Sequence, residues 1–62
     1  MGIEAARDML LIGYSRLVVA IGDLRIAGYA SEGSKLEDLA DTATSAVREL
    51  MAAVDAAAKE PQ

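Results

Sequence analysis

The side chains that could do chemistry in this chain are carboxylates, arginines, lysines and two tyrosines, because the sequence has no histidine and no cysteine. The tightest carboxylate group is Glu37, Asp38 and Asp41, which places Glu37 and Asp41 on one face of a helix. Metal sites in helical bundles combine glutamate with histidine in the core. This group instead stands at the start of a predicted helix, where negative charge stabilises the helix dipole. We therefore expect no catalytic residue, no bound metal, no cofactor and no enzymatic activity.

The tyrosines and two of the arginines are the other candidates, since aromatic rings and guanidinium groups can stack on a nucleotide base. These possible ligand contacts are Tyr14, Arg16, Arg25 and Tyr29, placed at a subunit boundary. Alternatively, the tyrosines are rim residues with their hydroxyls in water, and Arg16 pairs with Asp23 of a second copy. The net charge of -4, from ten acidic and six basic residues, provides no basic stripe, so we do not expect a nucleic-acid partner.

The element that must position these groups is a long apolar segment in the first half of the chain. Written as heptads, it alternates a large apolar residue with Ala or Gly over four repeats. This seam consists of Ile3, Leu10, Leu17 and Leu24, with Ala6, Gly13, Ala20 and Ala27 between them. The spacing predicts a helix over about residues 3–27, with the seam packed inside the chain against a second helix.

The opposite side of this predicted helix is apolar as well. Its apolar residues are Leu11, Ile12, Val18, Val19, Gly22 and Ile26. A helix that is apolar on two sides must bury both of them. We expect this second face to contact either another copy of the chain or a foreign protein.

A competing interpretation is a β-hairpin with strands at Leu17–Ile21 and Leu24–Ala27, joined by a two-residue turn that begins with Gly22. Alanine is a poor strand residue and occurs in both segments, which favours the helix. Within a helix, Gly13 and Gly22 each cost about 1 kcal/mol against alanine. Close contact with another helix would offset that cost. Gly28 fits the left-handed residue that ends a helix.

The second half of the chain predicts one amphipathic helix. Ser34-Lys-Leu-Glu37 matches the capping box, in which Ser34 accepts a hydrogen bond from the Glu37 amide and Glu37 reaches back to the Ser34 amide. The apolar residues that complete the intrachain core are Leu36, Leu39, Ala43, Val47, Leu50 and Val54. The pattern predicts a turn over 28–34, a helix over about 35–59 and a frayed tail at 60–62, where Pro61 stops the helix. A turn this short predicts an antiparallel hairpin.

The size of the chain indicates that this hairpin needs a partner. It has 62 residues, of which 53% are hydrophobic. A single core of that size contributes only about 3 to 5 kcal/mol, and no disulfide can reinforce it. We therefore predict one all-α hairpin domain that associates into a homodimeric four-helix bundle or a higher helical oligomer. This layout resembles the Rop-type helical hairpins in length and heptad pattern, a resemblance that implies a dimeric bundle. The RNA-binding face of that family is polar and basic, whereas the corresponding surface here carries Leu11, Val18 and Ile26.

The function expected from these features is that of a small, acidic, non-enzymatic interaction protein. It would act as a bacterial or phage regulator or inhibitor by protein binding through an apolar helical face. One alternative is a nucleotide- or RNA-binding bundle, and another is a purely structural self-assembly module. With no secretory signal pattern and an apolar run shorter than the ~20 residues of a membrane span, we expect a cytoplasmic protein without a membrane partner.

Overall fold

Two α-helices form the structure, which is a computed structural model that describes residues 2–59. Helix α1 comprises Ile3–Ile26, helix α2 comprises Lys35–Lys59, and residues 27–34 connect them. Contacts between Arg7 and Asp55 at one end and between Arg25 and Asp41 at the other show that the helices run antiparallel. This arrangement confirms the predicted all-α hairpin. The β-hairpin alternative is wrong, because α1 is continuous to Ile26, and the predicted tail at 60–62 lies outside the described residues.

The end of α1 is fixed by a Schellman motif. Gly28 has a φ of 85°, the left-handed conformation that an L-residue with a side chain adopts only at a cost. Its amide donates to the Arg25 carbonyl at 3.0 Å, and the Tyr29 amide donates to the Leu24 carbonyl at 2.9 Å. The predicted stop at Gly28 is therefore confirmed, and α1 ends one residue earlier than the periodicity predicts.

The start of α2 is fixed by a variant of the predicted capping box. The Glu37 amide donates to the Ser34 hydroxyl at 3.1 Å, as predicted. The Glu37 carboxylate, however, accepts from the Gly33 amide at 3.3 Å, because the Ser34 amide is already bonded to the Ser31 carbonyl at 3.0 Å. The cap thus ties the turn as well as the helix end.

The interhelical core is narrow. Its most buried side chains are Ile21, 7% exposed, Ala40, 9% exposed, and Ala30 of the turn, 2% exposed. Half-buried residues complete this core along both helices: Leu10, Tyr14 and Leu17 from α1, and Thr44, Val47, Met51 and Val54 from α2. Thr44 is accommodated because its hydroxyl donates to the Ala40 carbonyl at 2.8 Å, which leaves its methyl group for packing.

The predicted seam is corrected by this packing. Leu10, Leu17, Val47 and Val54 lie in the interhelical core, but the other members of the predicted seam are exposed in the hairpin. The exposed members are Ile3, Ala6, Gly13, Ala20, Leu24, Ala27, Leu36, Leu39, Ala43 and Leu50. The physical reason is that α1 contacts α2 along the row that contains Leu10, Tyr14, Leu17 and Ile21, so that the row with Ala6, Gly13 and Ala20 lies beside this contact and not in it.

The glycines inside α1 do not mark close contact between the two helices. A Cβ atom built at Gly13 or at Gly22 meets no atom of the hairpin within 4 Å, apart from the helix's own backbone and adjacent residues. The expected compensation for their low helix propensity is therefore not supplied by α2.

The hairpin is elongated rather than compact. Its principal dimensions are 47 × 17 × 11 Å and its radius of gyration is 14.4 Å, against about 11 Å for a compact domain of this length. Within residues 2–59, neither helix combines the length and the apolarity that crossing a membrane requires. One layer of two helices thus leaves most of each helix surface in contact with solvent.

Candidate interaction surfaces

One side of the hairpin, here called the charged face, carries both ion pairs. Arg7 lies 3.2 Å from Asp55 and Arg25 lies 3.5 Å from Asp41, measured between guanidinium nitrogen and carboxylate oxygen. These side chains are between 42% and 66% exposed, so each pair stabilises the hairpin only slightly. Each pair joins α1 to α2 on the same side of the hairpin. The two pairs therefore define which flank of each helix lies on that side.

The opposite side, here called the uncharged face, follows from that orientation and from the ~100° turn per residue of an α-helix. It consists of Ala6, Gly13, Ala20, Leu24 and Ala27 from the first half of the chain and Leu36, Leu39, Ala43, Leu50 and Ala57 from α2. All of these residues are exposed, and none carries a charge or a hydrogen-bonding side chain. Apart from Ile3, the exposed members of the predicted seam therefore lie on one surface to which both helices contribute.

A third surface lies on the side of α1 that faces directly away from α2. This outer stripe consists of Ile12, Val19 and Ile26, which are 46%, 64% and 87% exposed. The remaining members of the predicted partner face, Leu11, Val18 and Gly22, lie toward the charged face instead. Apart from Gly22, which is half-buried, the residues of the predicted partner face are exposed in the single hairpin, and they are divided between two sides of α1.

The four possible ligand contacts are not brought together. Tyr14 and Arg25 line one shallow cleft of about 230 Å³ between the helices, which Asp41 also lines. Arg16 lies on the opposite side of α1, in a separate cleft with Val19. Tyr29 is 67% exposed and lies in the connection after α1. A nucleotide base stacked on Tyr14 and Arg25 would lie beside the Asp41 carboxylate. The negative charge of this carboxylate would repel the phosphate of the nucleotide.

Two further surface clefts are lined by residues of α2 alone, so they are grooves between side chains of one helix. Among residues 2–59, no three carboxylates are grouped closely enough to hold a metal ion. In the same range, no buried side-chain nitrogen or oxygen lacks a hydrogen-bond partner. The distinctive features of the chain are its apolar surfaces.

No protein-family model, curated protein or solved structure matches this chain. The surfaces themselves are therefore the basis for a function.

Sequence reasoning missed two aspects of these surfaces. Tyr14, Ile21 and Met51 belong to the interhelical core but were not among the predicted core residues. The uncharged face was interpreted as the inside of the hairpin. The usable signal is the width of the apolar stripe of α2, which includes Leu39 and Leu50 as well as Val47 and Val54 and is wider than one neighbouring helix can cover.

Proposed function

We propose that this chain is a small, non-enzymatic interaction protein whose working form is a homodimeric four-helix bundle, and that it regulates another protein by occupying part of its surface. The observation that carries the proposal is the amount of apolar surface left outside the hairpin. Among residues 2–59, twelve large apolar side chains are between 39% and 87% exposed, whereas three residues, two of them alanines, are buried. Patches of this extent mark interaction sites in proteins.

The exposed area supports self-association. The chain exposes 4863 Å², whereas a folded monomer of its 6.5 kDa mass exposes about 3,800 Å². The excess supports the proposal that the hairpin is one layer of a larger fold, because two packed layers are what a stable core requires. Pairing two hairpins face to face supplies the second layer.

The outer stripe supports a role beyond self-association. In a face-to-face pair of hairpins, Ile12, Val19 and Ile26 remain on the outside of the bundle, since they point away from both α2 and the uncharged face. An exposed apolar stripe on a helix is the kind of surface that binds in an apolar groove of another protein. The acidic balance of the chain, with a net charge of -4, favours a partner that is basic around its apolar contact.

The self-association half of the proposal is tested by thermal unfolding, followed by circular dichroism over a hundredfold range of chain concentration. Folding that is coupled to dimer formation makes the midpoint depend on concentration. We expect each tenfold dilution to lower the midpoint by about 5 °C. A midpoint that does not change on dilution would contradict the dimer.

The regulatory half is tested by affinity capture from a native lysate with three chains: the unmodified chain, the Val19→Lys variant and the Ala56→Lys variant. Val19 and Ala56 are both exposed, and Lys is compatible with a helix at either position. We expect a stoichiometric second protein with the unmodified chain and with Ala56→Lys, but not with Val19→Lys. Recovery of this chain alone in all three cases would leave only a structural self-assembly module.

A further inference from the structure

We infer that the second copy docks on the uncharged face, so that the contact between hairpins buries Leu39 and Leu50 of α2 together with the small residues of α1. This inference rests on the proposed function, because it assigns a surface to the dimer proposed there. It also differs from the sequence prediction, in which the face with Val18 and Val19 contacts either another copy or a foreign protein. The outer stripe is then left free for another protein.

The distribution of charge selects this face. Two copies each carry a net charge of -4 and repel one another wherever acidic groups approach. The charged face presents Arg7, Arg25, Asp41 and Asp55, whose side chains are partly solvated and would lose water on contact. The outer stripe runs beside Arg16 and Asp23. The residues of the uncharged face carry no ionic side chain, and ionic groups approach it only at its edge, where Ala20 lines the same cleft as Arg16 and Asp23.

The area of the contact also fits a second copy. The exposed surface exceeds that of a compact monomer of this mass by about 1,000 Å². A standard specific interface buries about 800 Å² on each partner. A face that spans both helices of a hairpin 47 Å long and 17 Å wide provides such an area, whereas the outer stripe on one helix is narrower.

The sizes of the side chains on the uncharged face permit close packing. α1 contributes a row with Ala6, Gly13 and Ala20, and a Cβ built at Gly13 meets no atom of the hairpin beyond its own helix neighbourhood. α2 contributes leucines, with Leu39 53% and Leu50 50% exposed. Small residues on one element and large residues on the facing element interdigitate without voids. Gly13, which makes no close contact with α2, thereby allows a close approach between the two copies.

The first test compares charge insertions at matched exposed positions, with self-association measured by sedimentation equilibrium. Leu39→Lys and Leu50→Lys place an ammonium group in the proposed contact, and we expect each to weaken the dimer at least about 30-fold. Val19→Lys makes the same change on the outer stripe, and we expect its dissociation constant to stay within about threefold of the unmodified chain. If Val19→Lys dissociates the dimer and Leu39→Lys does not, the inference about the docking face is overturned, while the proposal that the chain forms a dimer still stands.

The second test remains decisive if the lysine variants fail to fold. Because the chain has no cysteine, a single Ala43→Cys or Ala52→Cys substitution gives one thiol, on the uncharged face or on the polar side of α2. At concentrations where the chain is fully dimeric, we expect the Ala43→Cys thiol to be alkylated at least about tenfold more slowly than the Ala52→Cys thiol. This difference in rate should vanish on dilution, when the chains separate. Equal rates in a dimeric purified chain would overturn the inference, while a chain that is monomeric throughout would overturn the proposed function itself.

Discussion

Individual residues define where each helix begins and ends. The Ser34 hydroxyl accepts from the Glu37 amide at 3.1 Å and caps α2. We expect Ser34→Ala to lower the free energy of unfolding by about 1 kcal/mol, because one amide at the helix start then lacks its protein partner. Chemical denaturation at one fixed chain concentration measures this change. Ser31→Ala is the control, since only the backbone carbonyl of Ser31 is used, at 3.0 Å from the Ser34 amide, and an equal loss there would contradict the cap.

A second residue-scale prediction concerns the glycine that ends α1. Gly28 has a φ of 85° and open space where a Cβ would lie. Gly28→Ala should therefore destabilise the chain by about 1 kcal/mol through backbone conformation alone. Gly22→Ala should do the opposite and stabilise it by up to about 1 kcal/mol, because Gly22 lies inside α1 with equally open space. Equal signs for the two substitutions, measured by the same denaturation, would refute this assignment of the helix end.

The ion pairs are expected to contribute little at the residue scale. Arg7 and Asp55 lie 3.2 Å apart but are 42% and 51% exposed, so water screens the attraction. A double-mutant cycle of Arg7→Ala and Asp55→Ala should give a coupling energy of about 0.5 kcal/mol that decreases with added salt. A coupling several times larger would mean that this side is buried in the assembly, contrary to the proposed docking on the uncharged face.

At the scale of the elements, the two helices are held together by few side chains. Ile21 is 7% exposed and is the only large side chain among the buried residues of the described part of the chain. We expect Ile21→Ala to cost about 2 to 4 kcal/mol, through lost apolar burial and the cavity that remains. Ile26→Ala is the matched control, since Ile26 is 87% exposed, and it should change stability by less than about 0.5 kcal/mol. Similar losses for both variants, compared by denaturation, would show that the hairpin interface is elsewhere.

The helices themselves could be predicted from the sequence because their signals are local. Heptad spacing, the glycine at 28 and the Ser34–Glu37 cap each act within one or two turns of the chain. The face that α1 turns toward α2 could not be predicted in this way. That face depends on whether the row with Tyr14 and Ile21 or the neighbouring row of small residues packs against α2. Packing between the two helices decides this.

The same difficulty affected the candidate site. The regular alternation of Leu17 or Leu24 with alanine was assigned to the interior of one hairpin, yet most of that pattern is exposed. A heptad pattern shows that a face is buried against some helix, and it does not show in which chain that helix lies. Only the folded hairpin brings together the ion pairs of Arg7 and Arg25, and these pairs define how the faces of the two helices are oriented.

At the scale of the whole molecule, the hairpin has the proportions of one half of a bundle. Its 14.4 Å radius of gyration and 4863 Å² of exposed surface both exceed the values of a compact chain of this mass. A two-helix core of this size is marginally stable by itself. Stability, self-association and the presentation of the outer stripe are therefore expected to be lost together when the chains separate.

Sedimentation equilibrium of the unmodified chain tests the central claim most directly. The account predicts a folded species of about 13 kDa, twice the 6.5 kDa of one chain, with loss of helical signal as dilution produces single chains. A species of 6.5 kDa that keeps its full helical signal at every concentration would contradict the account, because the uncharged face would then be stable in water without a second copy.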